Sequence, residues 1–270
     1  MRAVGVHADV VVVTSRAFQT TCTLVRSGGE AFCIDSPILP DELEILPTVA
    51  EQARFTVVGL LATHADWDHL LGAYAFPEAA LGVSESTAAV LRDQPGAAQR
   101  ALRGFDEEHY VVRPRPLGIG EVQPLPTPGR CGLGESELEL HPTAGHTADG
   151  LAVRIPWADI VVCGDYLSPV EIPMISPGGS VDAYVATLDI LEPLVADATA
   201  VVPGHGEPLD GPRALAILRE DRAYLGQLRD RGNDAKLPLA RRSREQKRIH
   251  ADNVKAVQAG APPQRAGGRS

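Results

Sequence analysis

Residues 63–69 read THADWDH, directly after the apolar run VVGLLA at 57–62. The run has the length of a strand and no polar position, as expected of a strand covered on both faces. At its end, His64, Asp66, Asp68 and His69 crowd two imidazoles and two carboxylates into one turn. Imidazole and carboxylate together suit Zn²⁺, Fe or Mn²⁺. The end of a strand in a rigid sheet is where such groups are usually displayed.

Three later turns follow the same rule. His146 lies in TAGHTADG (143–150) after the run ELEL, Asp165 in IVVCGDYL (160–167) at the end of DIVVC, and His205 in VVPGHGEP (201–208) after TAVV. Each stands next to a glycine, and small neighbours let separate loops approach one point. A single loop histidine or aspartate is ordinarily a surface residue. Seven candidate ligands at four strand ends form a pattern that chance does not readily supply.

THADWDH, AGHT, CGD and PGHG, in that order, resemble the successive motifs of the metallo-β-lactamase fold superfamily over about residues 10 to 210. The resemblance implies an α/β fold, a four-layer αββα sandwich with a dinuclear metal site at one edge. It implies that His64 and His146 hold a first ion, that Asp68, His69 and His205 hold a second, and that Asp165 bridges them. The usual first motif is H-x-H-x-D-H, and here Asp66 replaces its second histidine. Aspartate still ligates metals, so Asp66 is expected as a first-site ligand; otherwise it hydrogen-bonds water or a ligand. A carboxylate there is also reminiscent of the flavodiiron branch, where glutamate takes the position.

The replacement changes the charge of the centre. Two divalent ions, three aspartates and a bridging hydroxide sum to zero, whereas histidine at 66 would leave +1. A more neutral centre is a weaker Lewis acid with a less acidic bound water. Oxygen ligands also favour harder ions. The cofactor expected is therefore two divalent ions, zinc or iron or manganese, and not obligately zinc.

Such a site favours hydrolysis by a metal-bridging hydroxide, with Asp68 positioning the nucleophile or accepting its proton. Aspartate rather than cysteine at 165 argues against an antibiotic-degrading role, and no large insertion of the kind carried by nucleases of this fold is visible. A small ester, thioester or lactone is the default substrate. The segment YLSPVEIPMISPGG (166–179) is either a structural connection or a pocket lining, with Tyr166 and Glu171 as candidate substrate contacts. Alternative functions are a diiron oxidoreductase served by a separate electron donor, and a binding or regulatory protein with a weakened site.

Composition bounds the rest. The 270 residues carry a net charge of −10, and 44% are hydrophobic, enough for a substantial core. Up to Asp210 there are 11 basic and 29 acidic residues, and beyond it 14 and 6. The expected organisation is a catalytic domain at 1–210, a basic helical segment at 211–258 packed on it, and a disordered tail at 259–270. The basic charges form either a solvated helix face or a cover over the pocket or a subunit interface. The acidic domain argues against nucleic acid as a partner. No membrane span or signal peptide is visible. Cys22, Cys33, Cys131 and Cys163 show no metal or disulfide spacing, which fits free thiols in a cytoplasmic protein. The expected partner is a small-molecule substrate, with a homodimer left open.

Strands are expected at 10–13, within FTVVGLLAT (55–63), SELELHP (136–142), LAVRIP (151–156), DIVVCGD (159–165) and TAVVPG (199–204). A hairpin is expected over CTLVRSGGEAFCIDS (22–36) and helices at 41–52, 84–103 and 181–196. Helix should dominate 212–258, with breaks near Gly232 and Pro238.

Overall fold

The computed structural model describes residues 1–260. A seven-stranded sheet runs in chain order through β1 (Arg2–His7), β2 (Val10–Thr14), β3 (Thr21–Ser27), β4 (Glu30–Asp35), β5 (Val57–Leu61), β6 (Ala80–Ser84) and β7 (Val122–Leu125). It is antiparallel as far as β4 and parallel from there on. The second sheet has the order β12-β11-β10-β9-β8. Its strands are β8 (Gly129–Leu133), β9 (Ser136–Pro142), β10 (Leu151–Ile155), β11 (Ile160–Val162) and β12 (Ala200–Val202). Only β11 and β12 pair in parallel.

The helices are α1 (Pro40–Gln52), α2 (Gly72–Ala75), α3 (Glu85–Asp93), α4 (Ala97–His109), α5 (Val181–Ala196), α6 (Gly211–Arg231) and α7 (Arg244–Gly260). Three apolar layers make this a four-layer sandwich. Val10, Val12, Ile34 and Leu61 meet Leu140, Val153, Ile155 and Val162 between the sheets. Leu24, Leu60 and Leu81 pack outward against Leu43 and Leu46 of α1 and Leu102 and Phe105 of α4. Val161 and Val201 pack outward against Leu188 of α5, Ile217 and Leu225 of α6 and Val254 of α7. Alternate residues of one strand thus serve two different cores, which is why β2, β5 and β11 read as unbroken apolar runs.

Local chemistry sets the boundaries. The β3–β4 hairpin pairs Ser27 with Glu30 across Gly28-Gly29, and Gly28 takes φ +59°. Ser180 caps α5 through a bond from the Ala183 N–H, and Asp210 caps α6 through one from the Arg213 N–H. The single helix expected at 84–103 is two. Gln94-Pro95-Gly96 interrupts it, since proline has no N–H to donate and Gly96 turns left-handed at φ +75° to start α4. The strands β1, β6, β7 and β8 are not among those expected from the sequence. β1 is an edge strand whose one apolar pair, Val4 and Val6, is only half-buried and too short a signal. The tail expected at 259–270 overlaps the end of α7; residues 261–270 lie outside the described residues.

Candidate metal centre

The turn after β5 tightens into a short 3-10 helix, Trp67–His69. This throws Asp68 and His69 to one side and leaves His64 and Asp66 on the other. Asp149 fixes the turn from outside: its Oδ2 accepts from the Ala65 N–H at 2.9 Å and the Thr87 hydroxyl at 2.8 Å. His146 arrives between β9 and β10, Asp165 after β11, and His205 after β12.

The Asp165 carboxylate stands between two groups. Its Oδ2 is 3.3 Å from His146 Nε2 and 3.7 Å from His64 Nε2. Its Oδ1 is 3.1 Å from His69 Nε2 and 3.3 Å from His205 Nε2. Asp66 Oδ2 joins the first pair, at 3.3 Å from His146 and 3.6 Å from His64. Asp68 Oδ2 joins the second, at 3.6 Å from His205 and 3.8 Å from His69. His64, Asp66 and His146 therefore form one candidate ligand cluster, and Asp68, His69 and His205 another.

These separations fit a cation. Two ligands about 2.1 Å from one tetrahedral ion lie about 3.4 Å apart. His64 Nε2, His69 Nε2 and Asp165 Oδ1 are buried and have no hydrogen-bond partner. Leaving such atoms unpaired is costly, and cations held by the two clusters would satisfy all three.

Every one of the four imidazoles points Nε2 inward and Nδ1 at a protein group. His64 Nδ1 faces the Thr63 hydroxyl at 3.1 Å, and His146 Nδ1 the Met174 carbonyl at 2.9 Å. His205 Nδ1 faces the Phe18 carbonyl at 3.0 Å, and His69 Nδ1 the carboxylate of Asp35 at 3.0 Å. Outer partners of this kind fix ring orientation and tautomer in metal sites.

The electrostatics agree. Burial opposes charge on all these groups, yet His146 and His64 hold Asp66 well below the usual carboxylate range. Against the same burial, Asp66 and Asp165 carry His146 up to about 9, and Asp165 and Glu171 carry His205 up to about 10. The cluster thus draws positive charge strongly, from protons or from cations.

Glycines make the approach feasible. A Cβ at residue 204 would overlap Asp165 Oδ1, and one at residue 145, where φ is +124°, would overlap the backbone of Tyr184.

The structure brings the seven ligand candidates together, Asp66 among them. The two candidate substrate contacts part company. Glu171 lines a cavity of about 260 Å³ over the cluster, together with Phe18, Trp67, Ile172, Met174 and Ile249. Tyr166 is buried in the core and does not line that cavity; its hydroxyl accepts from the His146 N–H at 3.1 Å. A left-handed Leu167 (φ +61°) follows it, and the turn points the ring inward. Asp35, at the end of β4, accepts from the Thr63 N–H and hydroxyl beneath His69. Asp149 and the Met174 and Phe18 carbonyls carried no sequence signal.

Two sheets back to back, with two adjoining His/Asp clusters at one rim, define the dinuclear metallohydrolase class. The sequence profile of the Metallo-beta-lactamase superfamily matches residues 15–205, and the chain belongs to that superfamily. No curated protein was found to match the sequence. Among solved structures, a metallo-β-lactamase from Pontibacter korlensis is 20% identical with a TM-score of 0.61, over 81% of this chain and 98% of that one. The DIM-1 metallo-β-lactamase is 19% identical with a TM-score of 0.60, over 84% and 96%. The stereoselective inverting sec-alkylsulfatase Pisa1 from Pseudomonas sp. is 15% identical with a TM-score of 0.70; the match spans 94% of this chain but only 49% of that one. These likenesses concern the fold.

Proposed function

We propose that the protein hydrolyses a small ester, thioester or lactone at a dinuclear centre. In this reading His64, Asp66 and His146 hold one ion, Asp68, His69 and His205 the other, and Asp165 both. The observation that carries it is the division of the Asp165 carboxylate between the His64–His146 pair and the His69–His205 pair. A pair of divalent ions, when bound, supplies an ionised water as nucleophile and a Lewis acid for the substrate oxygen.

Asp68 lines the cavity and touches both His69 and His205, so its carboxylate is suited to hold and accept the proton of the attacking water. Glu171 faces the same space, and burial raises its carboxyl above the ordinary range, against the opposing pull of His205. It is the candidate contact for the substrate's polar end. Phe18, Trp67, Ile172, Met174 and Ile249 form an apolar wall for the acyl part. Beyond Asp66 and Trp67 a second cavity of about 390 Å³, lined by Val90, Leu91, Ala97 and Ile119, offers room for an apolar extension.

Asp66 adds an oxygen ligand where the superfamily usually has nitrogen, which supports iron or manganese beside zinc. A cytoplasmic setting is supported by the four free cysteines. No helix among the described residues is long and apolar enough to cross a membrane. The test is a panel of esters, thioesters, lactones and phosphodiesters with Zn²⁺, Mn²⁺ and Fe²⁺. Carboxylic substrates should turn over fastest, and Asp165→Asn should abolish turnover. Activity on phosphodiesters alone, or activity that survives Asp165→Asn, would overturn the reading.

A further inference from the structure

The superfamily match ends at residue 205, yet α7 reaches back to the metal centre. Its buried positions, Gln246, Ile249, His250, Asn253 and Val254, follow helical spacing, and three side chains of the C-terminal segment bond the backbone of the 168–175 loop. Arg241 donates to the carbonyls of Glu171 at 2.7 Å and Ser168 at 3.2 Å, and ion-pairs with Asp221 at 2.6 Å. Gln246 accepts from the Ile172 N–H at 2.7 Å.

Asn253 does something more specific. It is fully buried and brackets a single residue: Oδ1 accepts from the Ile175 N–H at 2.8 Å, and Nδ2 donates to the Pro173 carbonyl at 2.6 Å. The residue between them is Met174, whose carbonyl faces His146 Nδ1 at 2.9 Å. Tyr224 holds the amide in turn: its hydroxyl accepts from Nδ2 at 3.0 Å and contacts His250 Nδ1 at 2.9 Å.

We propose that Asn253 is a positioning residue for the metal centre, acting through the Met174 carbonyl to fix the orientation and tautomer of His146. The inference rests on the dinuclear reading above and extends the centre to a helix outside the matched domain. Removing the amide frees Met174 to rotate its carbonyl away, so His146 loses its outer partner while the Asp68–His69–His205 cluster keeps its own. Loss of such a partner lowers metal affinity about 10- to 100-fold.

The test is zinc titration of the full chain against a chromophoric chelator, with Asn253→Ala, Asn253→Ser and, as control, Val254→Ala. Val254 is a buried apolar neighbour on the same helix with no polar group to offer the loop. The parent should bind two ions. Asn253→Ala and Asn253→Ser should each bind one unchanged and the other about 10- to 100-fold more weakly. Val254→Ala should lower the melting temperature and leave both affinities intact. Asn253→Ser covers the case in which the alanine variant does not fold. Unchanged affinities in a folded Asn253 variant, or equal losses in Val254→Ala, would overturn the proposal alone. A parent chain that binds no zinc would overturn the dinuclear reading and this inference with it.

Discussion

Asp35 Oδ2 lies 3.0 Å from His69 Nδ1, both side chains being almost wholly buried. The contact has ion-pair distance without hydrogen-bond alignment. A carboxylate at that distance favours the proton on Nδ1, which leaves Nε2 for the centre, and Thr63 holds the carboxylate through two hydrogen bonds. Asp35→Asn preserves the shape and removes the charge. It should weaken the ion nearest His69 by about 10- to 100-fold. Chelator competition measures this, and an unchanged affinity would refute a role for Asp35 in setting His69.

Asp68→Asn keeps the side-chain volume but cannot accept a proton. The expected fall in kcat is about 10²- to 10⁴-fold, with little change in KM. Steady-state kinetics at full metal loading decide it; a rise in KM with kcat intact would assign Asp68 to substrate binding instead.

Asp66→His restores the imidazole usual at that position and makes the loaded centre more positive by one unit. It should shift metal selection toward zinc and lower the pH at which the rate rises, because the nucleophilic water becomes more acidic. Elemental analysis after growth with zinc, iron and manganese in equal supply tests the first part, and a pH–rate profile the second. Identical metal content and an identical profile would mean that Asp66 does not ligate.

Gly204→Ala inserts a methyl group against Asp165 Oδ1. The carboxylate or the 203–206 turn must give way, and Asp165 serves both clusters. Both ions should be lost or much weakened, with a stability cost of about 1–3 kcal/mol. Thermal melting with and without zinc separates the two effects; a variant that still gains stability from zinc as the parent does would contradict the placement.

Much of this was legible because strand ends and ligands coincide in the sequence. THADWDH, CGD and PGHG each follow an apolar run, and AGHT follows the alternating strand SELELHP, whose buried leucines mark one inward face. What escaped had physical reasons. β1 is a half-exposed edge strand with one apolar pair, Val4 and Val6, and the break at Gln94-Pro95-Gly96 was overridden by the strong helical composition on either side. Carbonyl partners such as those of Met174 and Phe18 have no side-chain signature. Tyr166 follows Asp165 in sequence, but a turn sends its ring into the core. The C-terminal charges proved divided: Arg242, Arg244 and Lys247 are exposed, whereas Arg241 is 2% exposed and clamps the pocket loop. Composition cannot distinguish one buried arginine from its solvated neighbours.

The Asp165 carboxylate stands between the two clusters, and the proposed function makes them one two-ion site through it. The most direct measurement is metal stoichiometry, by elemental analysis of the parent and Asp165→Asn chains equilibrated with the same divalent ion. Two ions per parent chain are expected, and a loss of both tight sites in the variant. A parent holding at most one ion, or a variant that keeps two, would contradict this reading.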